Sequence, residues 1–94
     1  RYCIDGEPVG CGVCHCRECQ RQTGSAFGMS LLVRRQEFRM LRGEPKIWVR
    51  SSDSGRPVEC AFCHECGTRL YHMTRWMDGV VNVKPGTLDD TSWL

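Results

Sequence analysis

Apolar and polar residues in this chain alternate with a period of two in short runs, and helical periodicity is nearly absent. From Phe27 to Val33 the odd positions Phe27, Met29, Leu31 and Val33 share one side, which predicts a strand buried chiefly on that face. Further strands are predicted over Glu37 to Leu41, Lys46 to Arg50, Val58 to Phe62, Thr68 to Met73 and Val80 to Lys84. The alternation places Trp48 in the core, along with Phe38, Phe62 and Tyr71. Turn chemistry separates the runs: Gly43-Glu44-Pro45, a hairpin loop over residues 51–57 that reads as the most mobile segment, and Pro85-Gly86. Only Cys19 to Thr23 reads as a helical turn, with Gly24 as its stop. Residues 87–94 read as a tail anchored by Trp93. The fold class expected from this pattern is mainly β.

A chain of 94 residues reads as one small domain, residues 1–94, whose core is marginal without a staple. No leader-like segment opens the chain and no apolar run approaches the roughly 18 residues of a membrane span, so a soluble, cytoplasmic protein is the expectation. The first residue is Arg1, which leaves room for a leader or a strand upstream. A net charge of +2 does not mark a nucleic-acid binder. Charge is nevertheless uneven. Between Gln20 and Arg56, Arg21, Arg34, Arg35, Arg39, Arg42, Lys46, Arg50 and Arg56 outweigh Glu37, Glu44 and Asp53, either as a solvated strand face or as an anion site beside a metal.

Eight cysteines change the picture most. Six of them form two groups, Cys14, Cys16 and Cys19 in the stretch CHCREC and Cys60, Cys63 and Cys66 further on, while Cys3 and Cys11 stand apart. A disulfide scaffold is one reading, with about 105 possible pairings. The local shape favours a metal: in an extended segment Cys14 and Cys16 lie about 6.5 Å apart with parallel side chains, poorly placed to bond each other. With Cys19 arriving after a turn, the three sulfurs converge on a point about 2.3 Å from each, as zinc requires. One closed zinc shared with Cys63 and Cys66 is the structural alternative. Ribbon-type pairs usually lie about 15–20 residues apart, whereas 43 residues separate Cys19 from Cys63, and a ribbon leaves Cys14 unexplained.

Three thiolates with the fourth position open describe a catalytic rather than a structural zinc. Such a centre carries net −1, activates water poorly and welcomes a soft fourth ligand, so it suits a substrate thiol held as thiolate. Positive charge nearby would help, and Arg17 and Arg21 are the nearest in sequence. His15, between two ligands, points its ring away in an extended segment. His64 reads as solvent-facing, and His72 as a structural histidine or a proton carrier.

The segments CHCRECQRQTGSAF and FCHECGTRLYH resemble the glutathione-dependent formaldehyde-activating (GFA) enzyme family, from about Val9 to Pro85. The resemblance implies a small zinc-stabilised antiparallel β-tent fold, a catalytic Zn2+ on Cys14, Cys16 and Cys19, and a carbon–sulfur lyase of the S-(hydroxymethyl)glutathione synthase type. Its partners would be a small thiol such as glutathione and a small aldehyde, with no nucleic acid and no membrane. It also implies a second, structural zinc on Cys63 and Cys66 together with an upstream Cys-x-Cys-Gly strand, of which Arg1-Tyr2 reads as the tail end. Cys60 or Cys3 could substitute for the upstream thiols, although Cys60 in a strand reads more readily as a small buried residue. Glutathione's carboxylates would find Arg35 or Arg50 among several contacts. The competing function is a non-catalytic zinc-stapled β module that binds protein or nucleic acid.

Overall fold

A computed structural model describes residues 1–51, 55–74 and 79–94, so the centre of the expected hairpin loop, residues 52–54, lies outside the described residues. The strands are β1 (Tyr2–Ile4), β2 (Gly10–Cys14), β3 (Gly28–Arg34), β4 (Phe38–Met40), β5 (Lys46–Ser51), β6 (Pro57–Phe62), β7 (Arg69–Thr74) and β8 (Val80–Val83). One helix, α1 (Arg17–Thr23), and short 3-10 turns at Arg35–Glu37 and Pro85–Thr87 complete the described elements. Among them, β1 and β4 form a two-stranded sheet and the remaining strands a six-stranded one in the order β2-β3-β8-β7-β6-β5. All these pairings are antiparallel, as the resemblance implies.

The core lies on one face of the large sheet. Leu31, Val33, Ala61, Tyr71, Val81 and Val83 pack there, and Tyr2, Ile4, Phe38 and Met40 of the small sheet cover them. Phe38 stands edge-on to Tyr71 with ring centroids 5.0 Å apart, joining the two sheets. The opposite face carries Cys14, Ser30, Asn82, His72, Cys60 and Trp48, because residues paired across neighbouring strands share a face and the cross-strand pairs run Cys14 to Gly28, Leu32 to Asn82, Asn82 to His72, His72 to Cys60 and Cys60 to Trp48.

Several expectations need correction. Trp48 is half exposed, not core, because β5 is an edge strand with no neighbouring strand beyond it among the described residues; Ile47 and Val49 are exposed there for the same reason. Arg69 lies over the Trp48 ring, 6.0 Å from its centroid. Phe27 precedes β3 rather than joining it and is exposed. The predicted Glu37 to Leu41 strand is shorter, since the chain turns through Arg35–Glu37 before pairing with β1. Trp93 is 53% exposed and does not anchor the tail; Leu88 packing on the core and the Tyr2–Thr87 hydroxyl contact hold it instead. All eight cysteines are free, so a disulfide scaffold does not describe this fold. No helix among the described residues is long and apolar enough to cross a membrane.

Candidate metal centre

The centre forms where β2 runs out and α1 begins. Cys14 is the last residue of β2, paired with Gly28, and Cys16 is the N-cap of α1 with extended backbone (φ −65°, ψ 158°). The Cys19 amide donates to Cys16 Sγ at 3.4 Å, so the sulfur that caps the helix is also aimed at the first helical turn. Cys19 faces inward from that turn, 8% exposed, and the Thr23 hydroxyl donates to its carbonyl at 2.8 Å. Gly24 adopts the left-handed conformation (φ 64°) and its amide donates to the Gln20 carbonyl, which ends the helix where the sequence predicts.

This geometry brings the sulfurs of Cys14, Cys16 and Cys19 within 4.8 Å of one another. Three corners of a tetrahedron with bonds of about 2.3 Å are about 3.8 Å apart, so the group needs only a small contraction to hold such an ion. Among the described residues no fourth cysteine, histidine or carboxylate joins the group. The protonation of the three sulfurs points the same way. The Cys19 amide holds the Cys16 thiol below the ordinary thiol range, whereas burial, and then the neighbouring sulfurs of Cys14 and Cys16, push Cys19 up to about 12. Three such close sulfurs cannot all ionise against one another, and a bound dication removes the conflict by favouring every thiolate. The donor set therefore fits a metal ion.

Cys63 and Cys66 stand elsewhere, in the turn between β6 and β7. The Gly67 amide donates to the Cys63 carbonyl and the Cys63 amide to the Thr68 carbonyl, both at 2.8 Å. Cys66 Sγ lies 3.1 Å from the Thr68 hydroxyl, which holds this exposed thiol below its ordinary range, with the Thr68 amide and Cys63 adding to the effect. The structure sets them apart from the triad, so a zinc shared by both groups is not what this fold builds. Cys60 is 1% exposed in β6 and behaves as a small core residue; Cys3, in β1, faces Asp5.

The three histidines lie in different settings. His15 is exposed and its ring packs against Phe27, centroids 5.5 Å apart. His64 is exposed. His72 sits on the triad's face of the sheet, where burial first, then Lys84, Arg50 and Arg69, push it down to about 3. Its Nδ1 is buried without a hydrogen-bond partner among the described residues. It is neutral at ordinary pH.

The arginines nearest in sequence do not serve the sulfurs. Arg21 pairs with Glu18 at 3.3 Å on the helix surface, and Arg17 donates to Gln20 Oε1 at 3.3 Å. Arg50 stands on the triad's face of the sheet, whereas Arg35 lies toward Tyr71 on the other. The cation that does lie close is Lys84, 8% exposed, whose Nζ donates to the Met29 carbonyl at 3.4 Å and the Ser30 hydroxyl at 3.5 Å. The sequence offered one signal for it: Lys84 continues the Asn82 side of β8, opposite Val81 and Val83. A cavity of about 650 Å³ lined by Tyr2, Ile4, Leu70, Leu88 and Trp93 opens by the small sheet and includes no residue of the triad.

The family model described as glutathione-dependent formaldehyde-activating enzyme matches residues 1–94. Comparison with curated proteins and with solved structures gave no match.

Proposed function

The chain belongs to the glutathione-dependent formaldehyde-activating enzyme family, and from that premise we propose that it is a zinc-dependent carbon–sulfur lyase of the S-(hydroxymethyl)glutathione synthase type. One GFA-like domain spanning residues 1–94 would carry the activity, in a cytoplasmic setting that keeps its thiols reduced. The observation that carries this reading is the convergence of Cys14, Cys16 and Cys19 with no fourth protein donor among the described residues. Zn2+ suits that donor set, and when bound it would hold an added thiol as thiolate. The chain's own part is positional. The β2 terminus and the first turn of α1 fix the three sulfurs, the Cys19 amide orients Cys16 Sγ, and the His15 ring packs on Phe27.

The reaction is the addition of a thiol S–H across the aldehyde C=O: the carbon–sulfur bond forms and the carbonyl oxygen takes the proton. Formaldehyde offers little to recognise, so specificity rests on the thiol, with glutathione or a related small thiol as substrate. Arg50 is the better placed of the two arginines to meet a carboxylate, since it shares the triad's face. Cys63 and Cys66 would supply two donors to a separate structural zinc.

The test is zinc stoichiometry on the purified protein with Cys14, Cys16 and Cys19 changed singly to serine. Each variant should lose one zinc and any thiol-dependent addition to formaldehyde while remaining folded; unchanged metal content in all three refutes the reading. One observation favours a second reading. Trp48 is exposed between Lys46 and Arg50 on an edge strand, an arrangement that binding surfaces for single-stranded nucleic acid also use. Binding that weakens steeply with salt would support that module; thiol binding at a metal should respond little to salt.

A further inference from the structure

A lysine ammonium is seldom buried without an anionic partner. Lys84 is 8% exposed and, among the described residues, joins no carboxylate ion pair. Its side of the large sheet offers none: the positions sharing the face of Cys14 on β2, β3, β8, β7, β6 and β5 include Arg34, Arg50, Lys46 and His72 but no Asp or Glu. Two neutral oxygens at 3.4 and 3.5 Å, the Met29 carbonyl and the Ser30 hydroxyl, are long contacts for an ammonium and leave its charge unbalanced.

The groups that can supply the missing anion are sulfurs, once a metal ion favours their thiolates. Met29 adjoins Gly28, which pairs with Cys14, and a Cβ on Gly28 would lie 3.7 Å from Cys19 Sγ, so the β3 segment that holds the ammonium also floors the triad. Burial, the leading cause, holds the Lys84 ammonium below the ordinary lysine range; Cys19, and after it Cys60 and Cys14, favour its charge, while Arg69 opposes it. Of those sulfurs, Cys14 and Cys19 belong to the triad and Cys60 is a core thiol.

We propose that Lys84 is the counter-ion of the thiolate centre, placed on the sheet face behind the triad so that the site accepts an anionic fourth ligand in preference to a neutral one. The inference rests on the metal-centre reading above. Three thiolates on a dication carry net −1 and a bound substrate thiolate makes it −2, so a fixed buried cation selectively favours the thiol-bound state.

The experiment loads the protein with cobalt(II) as a visible probe and compares Lys84→Met, which keeps the stem and removes the charge, with Lys84→Arg, which keeps the charge. Cobalt affinity is measured by competition with a chelator, and the loaded protein is titrated with 2-mercaptoethanol, a thiol without carboxylates, and separately with imidazole. The methionine variant should bind cobalt and mercaptoethanol about tenfold more weakly, imidazole binding should move less than about twofold, and arginine should restore most of the loss. Equal weakening for both ligands, or no change, overturns the counter-ion role alone. Absence of cobalt uptake by the parent protein overturns the metal-centre reading and this inference with it. Should Lys84→Met fail to fold, Lys84→Gln is measured in the same way. Unfolding of both in the metal-free protein overturns the proposal in favour of a structural lysine.

Discussion

Cys14, Cys16 and Cys19 sit where a strand hands over to a helix, whereas Cys63 and Cys66 sit in a tight turn between two strands, and the backbone explains why one group gathers three donors and the other two. The strand-to-helix junction changes the residue repeat from two to 3.6, so an extended Cys14 and Cys16 and a helical Cys19 can aim at one point. The β6–β7 turn has only its own short span to offer, and the strands on either side carry their alternate residues to opposite faces. A third donor would have to come from another element. The first group is thus complete as a three-donor site within six residues; the second brings only two donors from its own turn.

The sharpest way to break that contrast is to remove one donor from each group. Cys19→Ser should weaken metal binding at the triad by more than about 100-fold, because residues that merely orient metal ligands already cost about 10–100-fold, and thiol-dependent activity should go with it. A variant retaining full metal content would erase the distinction between the groups. Changing Cys63 and Cys66 together to serine should leave the triad's metal in place and act on stability instead, lowering the melting temperature by about 5 °C or more, on the scale of about 4–8 °C per kcal/mol for a domain of this size. Loss of the triad's metal in that double variant would show that the two groups form one site after all.

His72 sharpens the comparison from between the groups. It lies on β7, which leads away from the second group, and on the sheet face that carries Cys14 of the first. Its folded value, about 3, is far below the ordinary 6.5, with burial as the leading cause. The native state therefore binds fewer protons than the unfolded chain in this window. The stability is fully present above about pH 6.5 and falls as pH drops toward 3, by up to about 1.4 kcal/mol per pH unit. His72→Leu should flatten that part of the acid-unfolding curve relative to the parent. Identical slopes for the two proteins between about pH 6 and pH 4 would mean that His72 is not what makes the fold acid-sensitive.

Much of this was legible because it is local. Period-two alternation marked β3, β5, β6, β7 and β8, and the spacing of Cys14, Cys16 and Cys19 carried its own geometry, since all three donors come from one short segment. What the sequence hid depends on which strands are neighbours. Trp48 alternates as a core residue does, but alternation cannot say that β5 lies at the edge. Lys84 reaches Ser30 across a sequence separation of 54 residues, so its place behind the triad exists only once β3 and β8 pair. Arg17 and Arg21, adjacent in sequence, were the natural candidates for that charge, and the helix turns both to its surface.

Gly28 offers the mildest intervention in the first group. It pairs with Cys14 and lies beneath α1, so that an added Cβ would stand 3.3 Å from Cys19 Cβ, 3.6 Å from Thr23 Cγ2 and 3.7 Å from Cys19 Sγ. Alanine in a strand gains about 0.5–1 kcal/mol over glycine by lowering the freedom of the unfolded chain, and the close contact with Cys19 works against that gain. Stability should consequently change little, while the Cys19 sulfur is pushed away from its partners. Gly28→Ala is expected to weaken metal binding roughly two- to tenfold, at or below the lower end of what indirect ligand positioning costs. Gly12→Ala is the matching control, because Gly12 shares the same sheet face on the neighbouring strand, paired with Ser30, and an added Cβ there meets nothing within 4 Å. Equal metal affinity in the two variants would mean that Cys19 can shift without penalty, and the packing of α1 on β3 would then not be what seats the third sulfur.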